Sequence, residues 1–179
     1  MKHSVSLAVP NRIAVSLTGA ALVLAIAVLA ALPANAAPPP QAQKLTASAI
    51  QIVRTQNSET LTIPEDFRVA TYEHVIEQLE KTKKFQKIYR DGDRTADGVA
   101  DLVILKLVPS AFKQGSQKER EVTTIKGATS IKINVQFTKK DGTVLLEKEV
   151  EGKVRFYGEN LAATKDFAKK VAKVVNENF

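Results

Sequence analysis

The sequence predicts an α+β fold: a mixed, mostly antiparallel sheet with two main helices packed on it. Residues 50–53 are rich in β-branched side chains and precede a segment with helical periodicity, which favours one strand-helix crossover. Residues 131–137 and 144–156 alternate on either side of an Asp-Gly pair, which indicates an antiparallel hairpin. A last segment, from Leu161 to Val175, again carries apolar residues at helical spacing.

Residues 1–36 have the three parts of a secretory signal peptide. Lys2 and Arg12 lie in a short basic region, residues 13–32 form an apolar run, and residues 34–36 provide the A-x-A pattern of a cleavage site. We therefore expect export to the periplasm or the exterior, with cleavage after this pattern. The apolar run is also long enough to span a bilayer core of about 30 Å, so an uncleaved N-terminal membrane anchor is the alternative.

Residues 37–45 contain three consecutive prolines, which favour an extended linker. No later composition shift or internal repeat is found, so residues 46–179 are predicted to form a single domain. The chain has no cysteine, which excludes disulfides, a lipid-modified N-terminal cysteine and a cysteine nucleophile. Its formal net charge is +7, and removal of Lys2 and Arg12 with the signal leaves +5. A basic surface attracts anionic lipids, acidic glycans or nucleic acid, and export makes nucleic acid the least expected partner.

The first half of the domain is expected to contain two strands joined by an amphipathic helix. The first strand covers residues 50–53. The helix begins near Pro64, whose fixed φ suits a first turn, and ends near residues 81–84. The positions that recur at steps of three and four residues are Phe67, Ala70, Thr71, His74, Val75, Gln78 and Leu79. A second short strand is predicted within residues 85–89.

The stretch Asp91–Gly98, DGDRTADG, carries three aspartates between two apolar segments and raises a choice between a metal site and a turn. A calcium loop of the EF-hand kind needs a Gly at its sixth position and a Glu at its twelfth. Counted from Asp91, those positions hold Ala96 and Leu102, so the bend and the bidentate ligand are both missing. Asp-Gly pairs with side chains bonded to local backbone are typical of turns. We therefore predict a turn.

A long apolar strand and a polar connection are expected to follow this turn. Residues 99–108 are nearly continuous in apolar side chains, which predicts a strand covered on both faces and ended by Pro109. Residues 114–130 are polar and contain two glycines, which favours a long loop or an irregular hairpin through residues 122–125.

The second half of the domain is expected to be a hairpin followed by a helix. Residues 131–137 alternate between apolar and polar, and Asp141-Gly142 forms the turn. The return strand places one apolar set on a single face, interrupted by Lys148 and Gly152: Val144, Leu146, Val150, Val154 and Phe156. Asn160 is the predicted N-cap of the closing helix.

Four patterns in this order carry a family resemblance. A helix ending at Leu79–Phe85 leads into FQKI at 85–88, then come the strand Ala100–Ile104 and the Lys140–Thr143 hairpin before a C-terminal helix. Together they resemble an uncharacterised bacterial envelope family, domain of unknown function 4410, over residues 46–179. The resemblance implies an exported α/β module, often lipid-anchored and similar in topology to domains of envelope assembly proteins. This chain departs from the lipoprotein pattern in having no cysteine, and the family supplies no catalytic residues.

Residues able to carry catalysis or to bind a metal are few and scattered. His74 is the only histidine after the predicted signal and lies one helical turn from Glu77, whereas a catalytic zinc normally has three protein ligands. The G-x-S-x-G pattern of serine hydrolases is absent from the sequence. We therefore predict no enzyme activity, no cofactor and no metal site. An envelope hydrolase with an unrecognised pair of carboxylates is the alternative, because glycosidases need only two.

Lysines on the outer side of the closing helix are the candidate binding residues. They are Lys165, Lys169, Lys170 and Lys173. Such a run is usually a solvated face, and the alternative is a patch for anionic lipid, peptidoglycan or an acidic protein. The sequence thus favours an exported envelope domain that acts as a non-enzymatic binding or assembly module, of undetermined oligomeric state. Sheet edges and residues 114–130 are the expected contact surfaces, because an unpaired edge can add another strand.

Overall fold

Five strands and three helices make up the part of the chain that the computed structural model describes, residues 44–57, 61–123 and 126–179. In chain order they are β1 (Ala49–Ile52), α1 (Glu65–Thr82), β2 (Lys87–Tyr89), β3 (Leu102–Lys113), α2 (Gln117–Val122), β4 (Thr129–Thr138), β5 (Val144–Val154) and α3 (Ala162–Asn178). A 3-10 turn, Arg94–Gly98, lies between β2 and β3. The predicted signal peptide and most of the predicted linker lie outside the described residues. Leu45, at the end of that linker, donates its N–H to the Asn178 carbonyl.

The strands form one mixed sheet in the order β2-β1-β3-β4-β5. β1 runs parallel to both β2 and β3, whereas β3, β4 and β5 are antiparallel neighbours. The β4-β5 hairpin turns at Gly142, which adopts a positive φ of 88°. Its N–H donates to the Lys139 carbonyl. The predicted α+β class, the early crossover and the hairpin are therefore confirmed.

The main core lies between one face of the sheet and the two long helices. α1 contributes Phe67, Val75 and Leu79, as its spacing predicts, and α3 contributes Phe167 and Val171. The sheet supplies alternate residues of its strands: Ile50, Ile52, Val103, Leu105, Leu107, Ile131, Ile133, Val135, Phe137 and Val150. Each large apolar side chain buried in this way stabilises the fold by about 1.5 to 3 kcal/mol relative to exposure. None of the helices in the described chain is long and apolar enough to cross a membrane.

On its opposite face, the sheet is covered where the 3-10 turn crosses it. Ala96 of this turn packs with Tyr89 and Leu102 in a second, smaller cluster. The start of β3 is therefore buried on both faces, as predicted. From Lys106 onward β3 alternates between exposed and buried positions. The two-sided burial predicted for the whole strand is wrong beyond Leu105, because the turn covers only its beginning.

β3 continues through Pro109 to Lys113, so the prediction that this proline ends the strand is wrong. The neighbouring strand β1 stops opposite Leu105, so at Pro109 the described chain places no partner on that side of β3. The pairing with β4 also shifts register between Pro109 and Ala111. Proline is tolerated at edges and bulges because the ladder needs no N–H from it there.

A short helix replaces the long loop or irregular hairpin expected at residues 114–130. α2 begins after Ser116, whose Oγ accepts the Glu119 N–H as an N-cap. Its last residue, Val122, is exposed and does not begin an inward-facing strand. Residues 124 and 125 of the expected hairpin lie outside the described chain. The prediction is wrong for the residues that form α2.

The buried guanidinium of Arg120 fixes α2 against the neighbouring loops. It donates to the carbonyl oxygens of Gly127 and Gly158 at 2.6 and 2.7 Å. No carboxylate of the described residues pairs with it, so carbonyl dipoles balance its charge.

Asn160 does not cap α3 and instead ties the same loops together. Its Oδ1 accepts the Thr129 hydroxyl at 2.9 Å, and its Nδ2 donates to the Gly115 carbonyl at 3.2 Å. α3 follows Leu161 and has no side-chain cap. The N-cap prediction is wrong because these two tertiary hydrogen bonds occupy the Asn160 side chain.

The close approach of α3 to β5 explains why glycine interrupts the apolar face of that strand. Gly152 is buried where the helix crosses, and a Cβ there would lie inside contact distance of the Ala163 carbonyl oxygen and of Phe167. β5 ends at Val154, so Phe156, which the alternation assigns to the same face, lies beyond the strand and is 55% exposed. The assignment of Phe156 to the buried face is therefore wrong.

We expect Gly152→Ala to lower the free energy of unfolding by about 1 to 3 kcal/mol, because the added methyl group forces backbone to move in a packed contact. Gly98→Ala is the matched control, since a Cβ at Gly98 meets no atom within 4 Å. This control is expected to change stability by no more than about 0.5 kcal/mol. Urea denaturation of both variants measures the difference, and equal stabilities would contradict the close contact.

Candidate functional site

The aspartate-rich stretch forms a turn followed by the 3-10 segment. Gly92 adopts a φ of 78°, and the Oδ1 of Asp93 accepts both the N–H and the hydroxyl of Thr95, at 2.9 and 2.7 Å. These hydrogen bonds lower the pKa of Asp93, so the cap stays ionised. Asp91 accepts the N–H of Arg54 at 3.4 Å. In the described ranges, no three His, Cys, Asp or Glu residues lie close enough together to hold a metal ion.

His74 bridges the two long helices. Its Nδ1 lies 2.8 Å from the hydroxyl oxygen of Thr164, which itself donates to the Leu161 carbonyl, so His74 is the donor in this pair. Burial lowers the pKa of His74, Lys165 lowers it further, and Glu77 opposes the shift. The neutral imidazole therefore acts as a hydrogen-bonding link between α1 and α3.

The four predicted lysines of α3 lie on two different parts of its surface. Lys170 donates to the Glu151 carbonyl and pairs with Asp166, at 2.8 and 2.7 Å. Lys173 lies 3.8 Å from a carboxylate oxygen of Glu177. Both line a groove between α3 and β5, whereas Lys165 and Lys169 are exposed residues that do not line it. A binding role for these lysines stays a prediction.

The groove between α3 and β5 has a volume of about 500 Å³ and an excess of cationic side chains. Its charged lining residues are five cations, Lys148, Lys153, Arg155, Lys170 and Lys173, and three acids, Glu149, Glu151 and Glu177. Most of these charges form exposed ion pairs, which contribute little and rearrange easily. Arg155 has no acidic partner among the described residues. The groove can therefore accept an anionic group without the loss of a strong ion pair.

The outer edge of β5 is half closed and half open. Lys153 donates its N–H to Asp166 at 2.9 Å, and the Glu151 carbonyl accepts Lys170, so side chains of α3 occupy this end of the edge. Within the described chain, no strand and no side chain binds the outward backbone groups of residues 145–149. An unpaired edge of this kind can add an extended segment. The open edge lies directly beside the groove.

Sequence reasoning missed the contribution of β5 to this surface. Lys148, Lys153 and Arg155 join two of the predicted lysines only because α3 packs across β5. The hairpin register indicates on which face Lys148 lies, but the sequence alone does not place the helix beside it. The only sequence signal for this surface is that Lys148 interrupts the apolar face of β5.

Comparison with known proteins relates this chain to others through its fold. No family model and no curated protein matches it, so the resemblance to domain of unknown function 4410 stays a prediction. The PelC dodecamer from Paraburkholderia phytofirmans is similar in structure, with a TM-score of 0.55, 9% identity, and coverage of 73% of this chain and 91% of that chain. A single-substitution form of the same dodecamer gives a TM-score of 0.53 at 10% identity over 75% and 91%. These similarities show a shared fold.

We expect acid to lower the stability of the folded protein through His74, because a partly buried ring beside Lys165 must then carry a charge. Because its pKa in the folded protein lies below the ordinary value of about 6.5, the unfolded chain binds this proton more readily. Its contribution to stability is therefore present above about pH 6.5 and decreases as the pH falls below that value. His74→Gln retains a donor to Thr164 and removes the titration.

Urea denaturation at pH 7.5, 6.5 and 5.5 measures this effect. The wild-type protein should lose more stability across the series than His74→Gln does. Identical slopes in the two proteins would exclude a lowered pKa at His74. A Glu80→Gln variant, on an exposed position of the same helix, controls for general changes in surface charge.

Proposed function

We propose that this chain is an exported bacterial envelope domain that acts as a non-enzymatic binding or assembly module, and that its contact surface is the open edge of β5 with the adjoining groove. The observation that carries the proposal is the unpaired backbone of residues 145–149 beside a lining with five cations and three acids. The subunits of the PelC dodecamer have a similar fold, and this similarity supports a role in assembly.

The charges beside the edge define the chemistry of the partner. Lys148 and Lys173 lie on the groove side, and both approach Glu177, at 4.0 and 3.8 Å. Glu147 and Glu149 alternate with Lys148 and project from the opposite face of β5, where Glu149 also reaches the rim of the groove. Two copies of β5 paired through this edge would bring these glutamates near one another, which is unfavourable. We therefore favour an extended segment of another envelope protein with acidic side chains toward the groove.

The acids of the groove fit a binding surface better than a pair of catalytic carboxylates. Glu149 lies 3.7 Å from Lys132, and Glu151 lies 2.6 Å from Lys153. Glu177 faces both Lys148 and Lys173. A glycosidase places two carboxyl groups on either side of the bond that it cleaves, whereas each of these acids already lies against a lysine. This arrangement supports the binding role over the hydrolase alternative.

An extended peptide that alternates threonine with glutamate is expected to bind the groove and the edge, because its backbone pairs with β5 and its acids meet the cations. Fluorescence anisotropy of the labelled peptide measures this binding, and a threonine-lysine peptide of equal length is the comparison. Lys148→Glu with Lys173→Glu should weaken binding of the acidic peptide at least about tenfold, through like-charge repulsion. Lys169→Glu, on an exposed position of α3 outside the groove, should leave it unchanged. Equal binding of both peptides, or equal effects of both charge reversals, would count against the proposed surface.

Export is tested by the intact mass and fractionation of the protein from a secreting bacterial host. Cleavage after the A-x-A pattern predicts a soluble periplasmic product of 143 residues, since removal of 36 from 179 leaves that number. An unprocessed mass in the membrane fraction would instead make residues 13–32 an anchor. Retention of the full-length chain in the cytoplasm would contradict export itself.

A further inference from the structure

A second cavity lies at the carboxyl ends of β1 and β2 and shares no residue with the groove. It is lined by residues 54–56 after β1, by residues of α1 between Glu65 and Glu73, and by Asp91 after β2. Its volume of about 460 Å³ lies in the range of small-molecule sites. The cavity is therefore large enough for a ligand of sugar size.

The topology of the parallel strands explains why a cavity forms here. β2 and β3 flank β1 on opposite sides, α1 joins β1 to β2 over the main core, and the 3-10 turn before β3 lies on the other face. Chains that leave neighbouring parallel strands toward opposite faces open a crevice at the carboxyl ends of those strands. Ligands of α/β proteins commonly bind in this position.

Two polar groups in the cavity wall lack partners. Thr55 is only 3% exposed, and its hydroxyl makes no hydrogen bond within the described chain. The Nε of Arg68 is likewise buried without an acceptor, while another nitrogen of the same guanidinium pairs with Glu65. Buried donors without partners are unfavourable, so small side-chain adjustments toward a bound acceptor would be favoured.

Arg54 supplies the cation of the cavity that forms no ion pair within the described residues. Its guanidinium lies 5.7 Å from the centre of the Tyr72 ring, and no carboxylate in the described ranges forms an ion pair with it. The Tyr72 oxygen accepts the Asp91 N–H at 2.7 Å, which fixes the ring. Arg54 is therefore held beside the cavity and is available to a carboxylate from outside.

The acids of the cavity are already engaged, yet they retain acceptor capacity. Glu73 binds both terminal nitrogens of Arg90, at 2.6 and 2.8 Å, and this hydrogen bonding lowers the pKa of Glu73. Asp91 accepts the N–H of Arg54. Each carboxylate can accept more hydrogen bonds than it uses here. Such groups bind hydroxyl donors and disfavour a ligand with several negative charges.

We propose that this cavity binds a small carboxylic acid that carries several hydroxyl groups, as acidic sugars do. The carboxylate lies against Arg54 and Arg68, and the hydroxyl groups donate to Glu73 and Asp91. The hydroxyl of Thr55 gains an acceptor from the same ligand. This assignment concerns a surface separate from the peptide-binding groove, so it stands or falls independently of the proposed function.

The test is a titration of the ¹⁵N-labelled protein with glucuronate, glucose and inorganic phosphate, followed by NMR. Glucuronate should give saturable shifts at the amides of Thr55, Val69 and Asp91. At equal concentration, glucose and phosphate should give none that saturate. Equal binding of phosphate would overturn the hydroxylated-acid assignment, and the absence of saturable shifts with glucuronate would overturn the site.

Variants separate a ligand role from a structural one. Arg54→Gln should weaken glucuronate binding at least about tenfold, the effect of one lost charge-assisted hydrogen bond, and Lys170→Gln in the groove should not change it. Thr55→Val should weaken binding while the melting temperature stays equal or rises, since an unpaired buried hydroxyl is removed. Thr71→Val is the matched control, because Thr71 also buries an unpaired hydroxyl but does not line the cavity. Unchanged affinity in Arg54→Gln, or equal losses of affinity in the two threonine variants, would overturn the assignment.

Discussion

The packing of α3 directly onto the backbone of β5 at Gly152 determines the surface of the antiparallel half of the molecule. Because no side chain separates the two elements there, Asp166 and Lys170 reach the edge of the strand and bind Lys153 and Glu151. One end of the edge is thereby closed, and the other end stays open beside the groove. A side chain at position 152 would push the helix away from β5 and would separate these contacts.

Periodic parts of the sequence predicted the fold, whereas positions controlled by tertiary contacts did not. The two long helices and the hairpin repeat their apolar residues at a fixed spacing, so local sequence is sufficient. Pro109 and Asn160 follow different rules. Pro109 does not end β3, because β1 stops early and leaves no partner within the described chain on that side of the strand. Asn160 does not cap α3, because its side chain forms hydrogen bonds with Thr129 and Gly115. Arg120 donates to the carbonyl of Gly158, which is distant in sequence, so no local pattern predicts this contact.

The candidate sites were less predictable because each combines residues from separate segments. The sequence identifies a lysine-rich helix, but only the packing shows that Lys170 and Lys173 face β5 and that Lys165 lies near His74. The cavity beside β1 is lined by residues 54–56, by α1 and by Asp91. Taken separately, their sequences predict a loop, a solvated helix face and a turn. Thr55 has no special sequence context, and its importance follows from burial without a partner.

Cations without a local partner say more about ligands than the net charge does. Most lysines of the groove are paired with acids, and exposed pairs contribute little to either stability or recognition. Arg155 in the groove and Arg54 in the cavity lack such partners within the described chain, and each lies in a concave surface with other polar groups. Lys169 also lacks an acidic partner among these residues, but it does not line either surface. An anion beside Lys169 gains one weak, solvent-screened contact, whereas an anion in the groove or in the cavity contacts several groups at once.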